Sequence, residues 1–244
     1  MSQSSTPDLG PVGPIVEGWS PPPAPPSDLA LDGTYAYAEP LSANAHAALL
    51  YRTYEGADRV WRYLPYGPFS SAALYHRWVR DVSGQADPFF LAIRNKTSGA
   101  FEGVASYLRV KPEAGSIEVG HINFSPALQQ TPAATEALFL MMDWAFAAGY
   151  RRFEWKCDAL NLPSRRAAQR LGLSYEGVFR QATVVKGRNR DTAWFAAIDQ
   201  EWPALKEAFR VWLDPRNFTA DGQQKERLSD LTRLVRVSED PALI

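Results

Sequence analysis

The chain has 244 residues, of which 45% are hydrophobic, 22% charged and 12% aromatic. That balance belongs to a soluble globular protein and excludes a mainly disordered or collagen-like chain. The formal net charge of −1 gives no global pull toward nucleic acid or an anionic membrane. No run approaches the roughly 18–20 apolar residues of a membrane span. The one cysteine, Cys157, rules out an internal disulfide and a multi-cysteine metal site. The expectation is a cytoplasmic protein.

Residues 1–30 hold 8 of the 19 prolines, with neither a basic start nor an apolar core. They are expected to form a disordered or polyproline-like arm, not a signal peptide. Alternation in Thr34–Ala38 predicts a first strand. Ser42 is placed to cap a helix over Ala43–Tyr54, and a second helical stretch carries Val60, Trp61 and Leu64. Pro65-Tyr66-Gly67-Pro68 breaks the chain. Ser70 or Ser71 then starts a helix with Leu74, Trp78, Val79 and Val82 on one side.

Three strands are predicted next, at Phe89–Arg94, Phe101–Val110 and Ile117–Phe124. A long helix follows, with Thr131 as N-cap, Pro132 at its first position and Gly149 as terminator. Its interior is apolar nearly all round, which predicts burial against a sheet. A strand over Phe153–Ala159, a short helix over Pro163–Arg170, two strands (Tyr175–Val185 and Thr192–Ile198) and a helix over Trp202–Leu213 complete the order. Three meander strands followed by two βα units imply a mixed α/β sheet with helices on its faces.

Charge is not spread evenly. Between Tyr150 and Arg190 ten Lys and Arg face three acids, so this segment carries +7 and the rest of the chain −8. A basic zone on an acidic body suits a small polyanion, or is simply a solvated set of arginines.

Two junctions carry chemistry. At Ser125–Ala137 a strand end feeds free amides into a helix N-terminus, the geometry of an anion cradle and also of an ordinary β–α connection. After the next strand comes Asn161-Leu162-Pro163-Ser164, continuing to Leu171-Gly172-Leu173, Glu176-Gly177 and Arg180. Together these resemble the GCN5-related N-acetyltransferase (GNAT) superfamily, in the branch of the ribosomal-protein alanine N-acetyltransferases. The resemblance covers about residues 31–200. It implies the acyl-CoA N-acyltransferase fold, with a mostly antiparallel central sheet flanked by helices, and leaves 201–244 as a helical extension packing on or trailing from the domain.

The implied activity is transfer of the acetyl group of acetyl-CoA to a primary amine, either a protein N-terminus or a small molecule, by direct attack in a ternary complex. No metal, nucleic-acid or membrane partner is implied, and the assembly is a monomer or homodimer. The resemblance places the coenzyme pyrophosphate on the amides of Gln129, Gln130, Thr131, Ala133 and Ala134. It places oxyanion donors on the main chain of Ile122, Asn123 and Phe124, the pantetheine on Asn161, and a hydroxyl near the sulfur at Ser164. Arg165, Arg166 and Arg170 are the candidate phosphate cations. Glu118, on the strand before the cradle, is the candidate general base and His121 the alternative.

Two departures from the family pattern stand out. Pro132 replaces the central glycine of the pyrophosphate loop and removes a donor. Thr183 stands where an acidic residue is common near the acceptor. Both leave room for a catalytically silent acyl-CoA-binding or interaction module. Cys157 alternates with Phe153 and Trp155, which predicts a buried thiol rather than a nucleophile.

Overall fold

The apolar run Phe89–Ile93 has to be covered on both faces, and the fold supplies a helical layer for each. In the computed structural model, which describes residues 10–220 and 222–243, eight strands form one sheet. They are β1 (Leu31–Asp32), β2 (Ala36–Pro40), β3 (Phe89–Asn95), β4 (Phe101–Lys111), β5 (Ser116–Phe124), β6 (Arg152–Asp158), β7 (Ser174–Val185) and β8 (Arg188–Ile198). Their order is β1-β2-β3-β4-β5-β6-β8-β7, and every pairing is antiparallel except β5 with β6. The helices are α1 (Ala43–Thr53), α2 (Ala72–Val82), α3 (Pro132–Ala147), α4 (Leu162–Arg170), α5 (Trp202–Leu213) and α6 (Leu228–Arg233).

Phe90, Ala92 and Val104 pack with Leu50 of α1 and Tyr75 and Val79 of α2. Leu91, Ile93, Ala105 and Tyr107 point the other way, into a larger core with α3. The all-round apolarity of α3 has a direct cause: the helix lies between two layers. Ala137, Met141 and Ala145 are buried in the sheet-side core, while Phe139 and Phe146 stack on Trp202 and Phe209 of α5. Ser42, Ser71 and Thr131 cap α1, α2 and α3 as the sequence predicts. Gly149 ends the last with a φ of 97°.

Two expectations change. The stretch with Val60, Trp61 and Leu64 forms only a 3-10 turn, Asp58–Trp61, before the proline-rich break. The proline-rich arm is irregular but not detached over the part described. Trp19 lies against Gly115 and under the Arg151 guanidinium, Pro22 and Leu29 are buried, and the Tyr150 hydroxyl donates to the Pro23 carbonyl. Residues 1–9 of that arm lie outside the described residues. The C-terminal extension, expected to pack on the domain or trail from it, packs on it. Besides the α3–α5 contact, Arg165 of α4 is buried against Asp240, with Nε 2.6 Å from Oδ2.

The feature that positions the site is a failure of pairing. β5 and β6 run in register only from Ser116/Arg152 to Val119/Trp155. Beyond that point β5 stays on β4 as far as Phe124, while β6 continues with β8 to Asp158. An extra residue on β5 between Gly120 and Asn123, with His121 at a φ of 50°, bulges the strand where the two part.

Candidate active site

The gap between β5 and β6 opens onto two cavities that share Phe124, Gln129 and Pro163. One, of about 930 Å³, lies between the N-terminal ends of α3 and α4 and the extension. Its lining contains Arg166, Arg170 and Arg227 and no carboxylate. The other, of about 730 Å³, lies against β5, β6 and the β7–β8 hairpin, facing the segment after α1. That segment spans the cleft: the Tyr63 hydroxyl donates to the Leu160 carbonyl, and the Lys186 ammonium to the Trp61 carbonyl.

On the arginine side, the loop entering α3 uses some of its own amides. Gln129 donates to the Ser125 carbonyl, Thr131 to the Leu128 carbonyl, and Ala134 to the Thr131 hydroxyl that caps the helix. Gln130 and Ala133 donate to no partner among the described residues, and Gln130 has a φ of 62°. The predicted cradle is therefore narrower than its sequence suggests, with Gln130 and Ala133 as its open donors. The +7 segment is also divided. Arg152 pairs with Glu154 and Glu176, and Arg165 is withdrawn to Asp240 rather than offered to phosphate. Arg166 and Arg170 remain in the cavity, and Arg227 joins them from the extension. Burial pulls the Arg170 pKa below its ordinary value; its guanidinium stacks on Trp212 and donates to the Thr135 hydroxyl.

In the gap itself, the Ser125 amide donates to the Glu102 carbonyl on β4. Antiparallel alternation then turns the Asn123 amide toward β4, and those of Ile122 and Phe124 toward the opening. The Phe124 carbonyl faces the same way and accepts from Gln129 Nε2 at 2.8 Å. Of the three predicted main-chain donors, Asn123 is thus the exception. Its side chain is a different matter: both amide atoms are buried and unpartnered, beside the gap.

Asn161 caps α4 through its Oδ1, which accepts from the Ser164 amide at 3.3 Å. Ser164 Oγ accepts from Trp155 Nε1 at 3.0 Å, and its own hydroxyl bonds the Cys157 sulfur. Cys157 is buried as expected, and burial pushes its thiol pKa up to about 11.

Glu118 lines the second cavity but is not a free carboxylate. Its Oε1 lies 2.6 Å from Arg109 Nη2, and its Oε2 lies 2.8 Å from Lys156 Nζ and 2.6 Å from Arg109 Nε. The expectation that it acts as an open base meets a carboxylate with both oxygens engaged. His121 stacks on Tyr66, with Nδ1 3.0 Å from the hydroxyl. Burial, with the charges of Arg109 and Arg190, brings its pKa down to about 4, so the ring is neutral at physiological pH. Thr183 and Arg190 are cross-strand partners on β7 and β8, and both line the cavity.

A splayed strand pair, an amide-bearing helix start and a cationic groove thus meet at one place in the fold. The acetyltransferase (GNAT) domain model matches residues 39–174. The chain belongs to the GNAT acetyltransferase family. A GCN5-related N-acetyltransferase from Brucella melitensis is 43% identical, with a TM-score of 0.87 over 89% of this chain and all of that one. A probable acetyltransferase from Chromobacterium violaceum is 42% identical, with a TM-score of 0.75 over 82% of this chain and all of that one. An uncharacterized N-acetyltransferase of Bacillus subtilis is 23% identical over 61% of this chain and 86% of its own length. The ribosomal L7/L12 α-N-protein acetyltransferase, at 19% identity and a TM-score of 0.60, shares the fold.

As an acetyltransferase the chain uses acetyl-CoA as co-substrate, and its open donors and cations suit a phosphorylated coenzyme. Among the described residues no cluster of His, Cys, Asp or Glu is arranged to hold a metal, and no helix is long and apolar enough to cross a membrane. Sequence reading missed Arg109, Lys156, Tyr66, Trp212 and Arg227. Only Lys156 lay inside the basic segment that could have flagged it.

Proposed function

We propose that this chain transfers the acetyl group of acetyl-CoA to the α-amine of a peptide or small molecule, by direct attack in a ternary complex. The observation that carries the reading is the meeting of the two cavities at the unpaired end of β5. A coenzyme in the carboxylate-free groove reaches an acceptor in the other cavity only through that gap.

Acetyl-CoA supplies an activated acyl carbon with a thiolate leaving group. Gln130 and Ala133 donate main-chain hydrogen bonds to pyrophosphate, supported by Arg166, Arg170 and Arg227. The amides of Ile122 and Phe124 face the gap as oxyanion donors, with the free Asn123 side chain beside them. Asn161, its Oδ1 already engaged, offers Nδ2 to the pantetheine. Ser164, its oxygen held by the Trp155 N–H, turns its proton from the Cys157 sulfur to the departing one.

The preference for an α-amine follows from what the cleft does not offer. The C–N bond forms as the C–S bond breaks, so the amine must be neutral and must shed one proton. Glu118 has both oxygens committed, and His121, with its pKa brought down to about 4, is a weak base that holds a proton only below that pH. An α-amine, with a pKa of about 7.7–8.0, is partly neutral at pH 7 and loses its proton to water; a lysine at about 10.4 is not. The cations around the second cavity favour the neutral amine further. Glu118 then acts as a positioning residue for Arg109 and Lys156.

The test is thiol release from acetyl-CoA across a panel of α-amines and ε-amines, beside a coenzyme binding measurement. Release with α-amines supports the reading. Tight coenzyme binding with no release from any amine would instead identify a silent binding module.

A further inference from the structure

The acceptor-side cavity carries more positive charge than catalysis requires. Arg59, Arg62, Arg109, Lys156 and Arg190 line it, against Glu118 and Asp158. Glu118 is spent on Arg109 and Lys156. Asp158 is turned to its own loop, accepting from the Leu160 amide at 2.9 Å. Arg62 lies over the Tyr63 ring at the rim. Arg190 differs from the rest in its burial. Like those of exposed Arg59 and Arg62, its side chain makes no ion pair or hydrogen bond among the described residues, but its Nε is buried without a partner. It is held on β8 beside the neutral His121, whose pKa its charge helps to depress.

An unpaired guanidinium, half-buried in a cleft, is unfavourable unless something completes it. Other buried cations in this region are completed from within the chain: Lys156 by Glu118, Glu154 and the Trp194 ring, and Arg165 by Asp240. We infer that the acceptor completes Arg190, and that it is an amine carrying a carboxylate, paired with the guanidinium while the amine faces the gap. This rests on the proposed function and narrows its substrate class. A planar guanidinium fork matches a carboxylate through two parallel hydrogen bonds. The same field that holds the amine neutral repels diamines and cationic peptides. The carboxylate has two possible sources, a free α-amino acid or the acidic side chain of a peptide N-terminus.

The experiment compares matched acceptors by thiol release. L-phenylalanine is set against phenethylamine, and the peptide amide Asp-Ala-Ala against Asn-Ala-Ala. The carboxylate member of at least one pair is expected to lead by about tenfold in kcat/KM, the scale of one charge-assisted hydrogen bond. Which pair shows the lead identifies the source. Arg190→Gln is expected to narrow that ratio below about threefold, with the Kd for acetyl-CoA unchanged. Equal rates within both pairs overturn the inference, as does an Arg190→Gln effect that falls equally on both members. Calorimetry on the coenzyme A complex, with N-acetyl-L-phenylalanine against N-phenethylacetamide and N-acetyl-Asp-Ala-Ala amide against its Asn counterpart, applies the same comparison to products. A carboxylate preference there in a protein that releases no thiol would keep the inference and remove the proposed function. No preference in either pair would remove the inference alone.

Discussion

Glu118 of β5 and Lys156 of β6 meet at 2.8 Å just where the two strands separate, with 1% and 8% of their side chains exposed. Arg109 closes the other side of the carboxylate. Paired strands above this contact and splayed strands below it make the charge cluster a clasp at the apex of the cleft. Glu118→Gln keeps the shape and removes the charge that orients both cations. Expected is a loss of about tenfold in kcat/KM, with the melting temperature lowered because buried Lys156 is left to Glu154 and the Trp194 ring. A positioning role makes the loss the same across pH 6–9. A general base would make it steepest at low pH, where the amine is most protonated, so the pH profile of the variant decides between them.

The groove around α3 and α4 predicts a coenzyme-dependent stability. Coenzyme A at about 100 times its Kd should stabilise the fold by about 2.7 kcal/mol, read as a rise in melting temperature. Arg227→Gln should raise the Kd about three- to tenfold, the scale of losing one charge-assisted contact. Arg227 comes from the extension, so this result tests whether residues 201–244 belong to the binding site. A Kd equal to wild type would leave the extension a purely structural element.

Much of this fold was legible because short-range rules acted unopposed. Thr131, Pro132 and Gly149 bound α3 in the sequence and in the structure, and the run Phe89–Arg94 announced a strand. Around the candidate site the local backbone was legible where a short motif fixes it, at the Asn161 cap of α4 and the Thr131 cap of α3. Legibility ended where long-range pairing decides a side chain's role. Nothing local to Glu118 reveals that Arg109 and Lys156 occupy its oxygens, since one lies across a strand pair and the other on a parallel neighbour. Arg165 sits in the motif segment beside Arg166, yet its charge is answered 75 residues later by Asp240. The register of amides in the gap depends on the bulge at His121, which no composition or periodicity marks.

His121 sets a pH signature. Burial first, then Arg109 and Arg190, brings its pKa from 6.5 down to about 4. In the window between those values the unfolded chain binds a proton that the folded chain does not. Stability therefore falls as pH drops from about 6.5 toward 4, and this contribution levels off below 4, where both states are protonated. His121→Gln, which cannot titrate, should flatten that part of the stability curve. Denaturant midpoints at pH 4.5, 5.5 and 6.5 for both proteins are the measurement. An unchanged slope in the variant would show that another group governs the window.

Ser164 holds two jobs whose signatures separate. Its oxygen accepts the Trp155 N–H at 3.0 Å, and its proton, which bonds the Cys157 sulfur here, turns to the coenzyme sulfur in the proposed reaction. Ser164→Ala removes both, leaving the indole N–H without its partner at a cost of about 1–3 kcal/mol. The α4 cap survives, because Asn161 Oδ1 accepts from the Ser164 main chain and not from its hydroxyl. The stability loss alone would leave kcat intact in the folded fraction. A partner for the departing thiolate acts on the transition state and lowers kcat and kcat/KM together. Expected for Ser164→Ala is a kcat lower by about ten- to a hundredfold, with the Kd for acetyl-CoA nearly unchanged. Trp155→Phe provides the control, since it loses the same hydrogen bond and keeps the hydroxyl. Its stability should fall with that of Ser164→Ala while its kcat stays nearer wild type. If the two variants lose kcat equally, the hydroxyl matters only through the orientation that Trp155 gives it.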